Sequence, residues 1–265
     1  MRAGWGELPG EITRIVKEHA GTVAAVVPAA AGNHADIAST VTGSRGRVFI
    51  KAARKASPET DGPEARSLRW EKAINPHVAE FAPQLLHAVE TDEWIALIFE
   101  HVDGRKADHA PGSPDLLLLA KTIHALQATP CPAFVQRQVE RRWTDLGSDA
   151  SPMAGTALLH TDLNTDNLII TGDRVHVVDW AFVSRGAAWV ELAQLVPWLL
   201  GAGHTPQAAD EWLAQFPSWL EAPATAIDLH AQLHRKLWEG RLALRPEPWM
   251  PPYVNAVRQW ATHRQ

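Results

Sequence analysis

The 265-residue chain has one cysteine, Cys131, and no long run of apolar residues. A single cysteine excludes an internal disulfide and is typical of a reducing compartment. No apolar run reaches the roughly 20 residues that a membrane helix needs. The N-terminal stretch carries acidic residues instead of the apolar core of a signal peptide. The sequence therefore predicts a cytoplasmic protein without a membrane partner.

The chain also lacks a block of lysine and arginine, and its net charge is −5. Nucleic-acid backbones need a basic surface, so we expect no nucleic-acid partner. A cationic small molecule is favoured instead. The apolar content of 46% and the charged content of 21% are those of an ordinary globular protein. The length allows one large domain or two packed lobes.

A β-hairpin is predicted in the second half of the chain. Two apolar runs, residues 168–170 and 175–178, flank a turn rich in Thr, Gly and Asp. In an antiparallel hairpin, the residue that enters the first strand lies beside the residue that leaves the second. Asn167 and Asp179 should therefore be neighbours.

The same segment collects oxygen-bearing side chains, since Asp162 lies just upstream of Asn167. A carboxylate and an amide oxygen side by side suit a hard cation such as Mg²⁺, which keeps waters and binds substrate phosphates. The arrangement is typical of a phosphoryl-transfer site.

The first half of the chain contains a lysine in the middle of a predicted strand, residues 47–52. Alternation places Val48 and Ile50 on one face of this strand, with Phe49 and Lys51 on the other. A lysine there is unusual unless it meets an anion. The alternative is an edge-strand lysine whose ammonium group reaches water.

The pattern His160-x-Asp162-x4-Asn167, followed by Asp179, resembles the aminoglycoside phosphotransferase family, whose fold is protein-kinase-like. The resemblance implies that Asp162 is the catalytic base or orients the acceptor hydroxyl, and that His160 supports the loop. It also implies that Asn167 and Asp179 bind the metal. The sequence departs from the family pattern at Thr161, where many members have Gly. A second departure is Asp-Trp-Ala in place of the Asp-Phe-Gly of protein kinases.

The resemblance further implies a nucleotide site for ATP or GTP. Lys51 would hold the α- and β-phosphates, paired with a glutamate of the next helix. Glu64 fits the family position better, whereas Glu71 is the alternative; the two share one helix face, so spacing cannot decide. The Glu100 carbonyl and the Val102 amide would hold the adenine edge.

The predicted fold class is α+β, because strands dominate early and helices later. Residues 1–102 would form an N-terminal nucleotide-binding lobe with a five-stranded antiparallel sheet and one helix, ending in a hinge. Residues 103–265 would form a mainly helical catalytic and acceptor-binding lobe, with helices that include residues 115–129 and 134–146.

The predicted function is ATP-dependent O-phosphotransfer to a small molecule, typically a cationic antibiotic such as an aminoglycoside, and hence antibiotic resistance. The alternatives are a kinase of a metabolite such as choline, a sugar or homoserine, and a nucleotide-binding regulatory pseudokinase. Among the carboxylates that could meet a polycation are Glu191, Asp210, Glu211 and Asp228. Tryptophan rings could cage an ammonium group, although core packing is the stronger explanation for them.

Overall fold

The computed structural model of the protein describes residues 3–29 and 35–265. The chain forms two compact units. The first contains Met1–Arg105 and Ile169–Phe182, and the second contains Lys106–Leu168 and Val183–Gln265. None of the described helices is long and apolar enough to cross a membrane.

The first unit is built on an antiparallel sheet in the order β1-β2-β3-β6-β5, with β4 paired to the far end of β3. The strands are β1 (Val23–Pro28), β2 (Ile37–Gly43), β3 (Gly46–Ser57), β4 (Thr60–Asp61), β5 (Leu85–Glu90) and β6 (Trp94–Glu100). The five strands predicted from the sequence are confirmed, and β4 is an addition.

Two helices cover the two faces of this sheet. Helix α1 (Gly10–Ala20) buries an apolar stripe spaced three and four residues apart, and packs against Val48 and Ile50 of β3. Helix α2 (Pro63–Ile74) packs with Phe49 on the opposite face. The alternation along β3 is therefore as predicted, and it places Lys51 on the α2 side. Helix α1 was not predicted.

The second unit is mainly helical. Its helices are α3 (Asp115–Ala128), α4 (Trp189–Gly201), α5 (Pro206–Leu213), α6 (Pro217–Leu220), α7 (Ala224–Leu244) and α8 (Met250–His263). The remaining strands of the chain are β7 (Arg105–Lys106), β8 (Ala157–Leu159), β9 (Leu168–Thr171), β10 (Arg174–Val177) and β11 (Ser184–Gly186). Strands β8 and β11 pair in antiparallel fashion within the second unit.

The predicted helix over residues 134–146 is wrong. The structure has only single 3-10 turns there, Val139–Arg142 and Thr144–Leu146. The buried residues of this segment repeat every four positions, which suggests a helix. The backbone before the first turn is instead extended, because the amide of Arg185 in β11 donates to the Arg137 carbonyl at 2.8 Å. A tertiary strand contact thus replaces the local helical hydrogen bonds.

The predicted β-hairpin is confirmed, since β9 and β10 are neighbours in one sheet and Gly172 takes a left-handed conformation in the turn between them. The predicted lobes, residues 1–102 and 103–265, differ from the two units at residues 103–105 and in the segment Ile169–Phe182, which both group with the first unit. The 3-10 turn Trp180–Phe182 packs against α2.

Candidate active site

In the first unit, the ammonium group of Lys51 lies between two carboxylates. Its Nζ is 2.7 Å and 2.9 Å from the two carboxylate oxygens of Glu71, and 3.1 Å from Oδ1 of Asp179. Lys51 comes from β3, Glu71 from α2, and Asp179 follows β10. The three side chains are largely buried, with 12%, 5% and 14% of their surface exposed. The sequence alternative of a solvated edge-strand lysine is therefore wrong.

The partner of Lys51 is Glu71, and the expectation that Glu64 fills this role is wrong. Glu64 lies in the first turn of α2, while Glu71 lies about two turns further along the same helix face. The helix packs its Ala65 and Leu68 side chains onto the sheet. Of the two glutamates, it is Glu71, in the later turn, that reaches Lys51.

The charges in this cluster are strongly coupled. Burial disfavours the ammonium form of Lys51, but the Asp179 and Glu71 carboxylates outweigh this effect and raise its pKa. Burial raises the pKa of Glu71, and the charge of Asp179 adds to this effect while Lys51 opposes it. Two carboxylates beside one ammonium group leave a negative charge when all three are ionised.

In the second unit, a polar loop begins where β8 ends, and a buried carboxylate holds its backbone. Glu191, in the first turn of α4, accepts hydrogen bonds from the backbone amides of His160 and Thr161, the latter at 2.8 Å. Only 1% of Glu191 is exposed, and burial raises its pKa to about 7. The prediction that Glu191 meets a cationic acceptor is wrong, because its carboxylate is used inside the protein.

The carboxylate of Asp162 is held by two amide side chains. Asn164 Nδ2 donates to one carboxylate oxygen at 2.8 Å, and Asn167 Nδ2 donates to the other at 3.0 Å. Asn167 Nδ2 also lies 2.9 Å from the carbonyl oxygen of Asp162. Because the amide nitrogen of Asn167 faces Asp162, its amide oxygen is the atom suited to a metal ion.

His160 supports the same loop from within. It is fully buried, and its Nδ1 accepts a hydrogen bond from the backbone amide of Asp162 at 3.2 Å. The Nδ1 atom of His160 therefore helps to hold the backbone of the loop at Asp162. The supporting role that the family resemblance implies for His160 stays a prediction.

Asn164 is a site residue that the sequence reasoning missed. Besides donating to Asp162, its side-chain oxygen accepts from the backbone amides of Asp166 and Asn167, at 2.8 Å and 3.2 Å. It thereby caps the 3-10 turn Thr165–Asn167. The signal was present, because Asn is among the preferred residues at the N-terminal cap of a helical turn.

Two site residues have an uncommon backbone conformation. Among residues 3–29 and 35–265, Thr161 and Asp179 are the non-glycine residues with positive φ, at 71° and 65°. Such conformations are costly for a residue with a Cβ and cluster at functional sites. Thr161 immediately precedes Asp162 in the chain. The carboxylate of Asp179 contacts Lys51.

Two predicted features stay predictions. Asn167 belongs to the second unit and Asp179 to the first, and their shared metal site is still inferred from the sequence. The adenine contacts of Glu100 and Val102 are likewise untested. Glu100 ends β6, and its amide donates to the Gln84 carbonyl at 2.9 Å.

Residues 135–226 match the sequence model of the phosphotransferase enzyme family, APH. The predicted resemblance to the aminoglycoside phosphotransferase family is confirmed. The matched segment contains the Asp162 loop, Asp179 and Glu191, whereas Lys51 and Glu71 lie outside it.

Relatives by sequence point to the same class of proteins. The chain is 26% identical over 174 residues to a thiamine kinase from Salmonella paratyphi A, a match that covers 59% of this chain. The aligned region spans 61% of the length of that thiamine kinase.

Solved structures of this family share the fold. An aminoglycoside phosphotransferase from Alicyclobacillus acidocaldarius aligns with a TM-score of 0.63 at 16% identity, covering 99% of this chain and 93% of that one. Spectinomycin phosphotransferase in complex with ADP and spectinomycin aligns with a TM-score of 0.59 at 9% identity, covering 95% and 93%. The α+β, protein-kinase-like fold class predicted from the sequence is thus confirmed.

Proposed function

We propose that the protein is an ATP-dependent O-phosphotransferase that acts on a hydroxyl group of a small molecule. The observation that carries this proposal is the buried Lys51, held between Glu71 and Asp179. A buried lysine fixed by a helix glutamate is the arrangement that phosphoryl-transfer enzymes of the protein-kinase type use to hold nucleotide phosphates.

The proposed roles follow from the two clusters. Lys51 binds the α- and β-phosphates of ATP or GTP, and Glu71 keeps its ammonium group in place. The oxygen atoms of Asn167 and Asp179 fit Mg²⁺, which when bound would neutralise phosphate charge. Asp162 accepts a hydrogen bond from the acceptor hydroxyl and aligns it for attack. Its orientation is kept by the amides of Asn164 and Asn167.

The acceptor belongs to one of two classes. The first is the cationic antibiotic expected from the sequence, and the acidic net charge supports it. The second is a metabolite alcohol, and the pairing of the candidate carboxylates favours it. Asp210 Oδ2 lies 3.1 Å from His263 Nε2, and Asp228 Oδ1 accepts a hydrogen bond from Arg264 Nε at 2.7 Å. These carboxylates already have partners within the second unit.

The aromatic residues of the second unit also favour the metabolite class. Trp249 is 42% exposed, and its ring centroid lies 5.5 Å from that of Trp238 and 6.1 Å from that of Tyr253. Indole faces stack on flat rings. The similarity to a thiamine kinase agrees with an acceptor that carries a heteroaromatic ring and a hydroxyl group.

A phosphotransfer screen tests the function. The purified protein is incubated with Mg²⁺ and ATP or GTP, together with aminoglycosides, other antibiotics, thiamine, choline and sugars. Mass spectrometry then detects a product heavier by one phosphoryl group. Asp162→Asn should lower turnover by several orders of magnitude, on the order of 10³-fold or more, while nucleotide affinity stays near that of the wild type.

Asp166→Asn is the matched control for this screen. Asp166 is an exposed carboxylate of the same loop and pairs with Lys106. We expect this variant to keep full activity. Failure of the wild-type protein to bind Mg-ATP would contradict the proposed function, whereas binding without transfer would favour the regulatory pseudokinase alternative.

A further inference from the structure

The backbone of Thr161 determines the direction in which the chain enters Asp162. Thr161 has a φ of 71°, and only 6% of the residue is exposed. A β-branched residue seldom adopts this left-handed conformation, because its Cβ crowds the neighbouring carbonyl. The conformation therefore has to be stabilised by the surroundings of the residue.

Arg142 supplies one such contact, to the side chain of Thr161. Its Nη2 donates to Thr161 Oγ1 at 2.6 Å, and its Nη1 donates to Gln194 Oε1 at 3.1 Å. Ser184 Oγ lies 3.5 Å from Nη2. The planar guanidinium group presents several donors in a fixed geometry. It thus connects the Asp162 loop to both α4 and β11.

The position of Arg142 is itself fixed by the core. It ends the 3-10 turn Val139–Arg142, and the next residue, Trp143, is fully buried. The ring centroid of Trp143 lies 4.9 Å from that of His230 in α7. A guanidinium group anchored beside a buried tryptophan can hold its partners at constant distance.

Glu191 and Arg142 contact different groups of Thr161. Glu191 accepts from its backbone amide, while Arg142 donates to its hydroxyl group. The backbone contact is available to any residue except proline at position 161. The hydroxyl contact depends on the side chain, and a valine of nearly the same shape would lack it.

We propose that Arg142 is a positioning residue for the proposed phosphotransfer, acting through the Thr161 hydroxyl group to orient the Asp162 carboxylate. This inference rests on the function proposed above. Arg142 contacts the loop that carries the reacting group and takes no proton in the reaction.

Steady-state kinetics test the proposal with Thr161→Val, Thr161→Ser, Arg142→Met and the double variant Arg142→Met with Thr161→Val. Misplacement of a reacting group by about 1 Å costs roughly 100-fold in rate. We therefore expect Thr161→Val and Arg142→Met to lower kcat by about 10- to 100-fold, with the nucleotide KM unchanged. Thr161→Ser keeps the hydroxyl group and should therefore have the kcat of the wild type. The double variant should be no slower than Arg142→Met alone.

The control is Arg141→Lys, which changes the exposed neighbouring arginine and should leave kcat unchanged. Independent losses that multiply in the double variant would overturn the proposal. The same holds for a Thr161→Val enzyme with wild-type kcat, and for a loss that appears in the nucleotide KM instead.

Hydrogen exchange of the backbone amides gives a readout that does not require activity. In the absence of acceptor, Arg142→Met and Thr161→Val should speed exchange in residues 158–168, with little change in α7. Unchanged exchange in this segment would overturn the positioning role, whatever the activity. If the wild-type protein transfers no phosphate while the exchange pattern is as expected, the proposed function fails and the contact between Arg142 and the loop stands.

Discussion

The two clusters of candidate site residues are stabilised by different interactions. In the first unit, Lys51 is held by the charges of Glu71 and Asp179. In the second unit, the carboxylate of Asp162 is held by the neutral amide groups of Asn164 and Asn167. Lys51 is thus held by ion pairs, whereas Asn164 and Asn167 hold Asp162 by hydrogen bonds from neutral groups.

This difference suits the two proposed tasks. A lysine that binds phosphates has to stay protonated, and the neighbouring carboxylates raise its pKa. A carboxylate that accepts a hydroxyl proton has to stay ionised without losing its basicity to a strong ion pair. Amide donors orient such a carboxylate and leave it less neutralised than an ammonium group would.

Within the charged cluster of the first unit, the largest expected effect follows from removing the charge of Lys51. Lys51→Met should lower kcat/KM for the nucleotide by about 100- to 1,000-fold, because a preorganised donor to the phosphates is lost. Nucleotide titration and initial rates measure the effect. Lys55→Met is the control, because Lys55 also lies on β3 and pairs with Glu90 at 2.9 Å. Equal losses in the two variants would contradict the assigned role.

A smaller effect distinguishes the two glutamates of α2. Glu71→Gln keeps the shape of the side chain but removes one of the two charges beside Lys51, so we expect a roughly 10-fold rise in the nucleotide KM. Glu64→Gln should change the KM by less than about twofold, as for an ordinary surface substitution. A larger rise in the nucleotide KM for Glu64→Gln than for Glu71→Gln would instead support Glu64, the residue chosen from the sequence, as the partner of Lys51.

The hydrogen bond from Asn164 to Asp162 can be changed while Asn164 still caps the 3-10 turn Thr165–Asn167. Asn164→Asp keeps an oxygen that accepts from the backbone amides of Asp166 and Asn167, but it places a second carboxylate against Asp162. Like charges in contact raise a carboxyl pKa. The acidic limb of the pH profile of kcat should therefore move to higher pH by about one unit. Asn164→Ser, which can cap but carries no charge, should not shift the profile.

The last expected effect concerns stability instead of activity, and it depends on pH through Glu191. Its folded pKa is about 7, above the ordinary value of 4.5. The stabilisation by its protonated form is therefore fully present below pH 4.5 and is lost as the pH rises through 7. The free energy of unfolding should fall by at most about 1.4 kcal/mol per pH unit across this range.

Urea unfolding of the wild type and of Glu191→Gln measures this slope. The variant has no ionisable group at this position, so the difference in unfolding free energy between the two proteins should change between pH 4.5 and 7. A difference that is constant with pH would show that Glu191 keeps an ordinary pKa.

The residue pattern along the chain was sufficient to predict the sheet of the first unit. It also indicated the polar loop that contains His160, Asp162 and Asn167. Alternation along β3 predicts the face of Lys51, because successive side chains of a strand point in opposite directions. The stripe of α1, with Ile12, Ile15 and Val16, has helical spacing and was also readable from the sequence.

The remaining features depend on contacts between distant segments. Glu64 and Glu71 share a helix face, and only the packing of α2 on the sheet decides which of them reaches Lys51. The strand contact of Arg185 likewise determines that residues 134–146 do not form a helix. Arg142 offers no motif at all, since its partners come from three other segments of the chain.

The order of the chain within the first unit has a consequence for protein synthesis. Lys51 and Asp179 are separated by 128 residues, and the stretch Lys106–Leu168 between them belongs to the second unit. At a translation rate of about 5–20 residues per second, roughly 6–25 s separate the appearance of the two residues. Throughout this interval the nascent chain carries Lys51 and Glu71 without the second carboxylate.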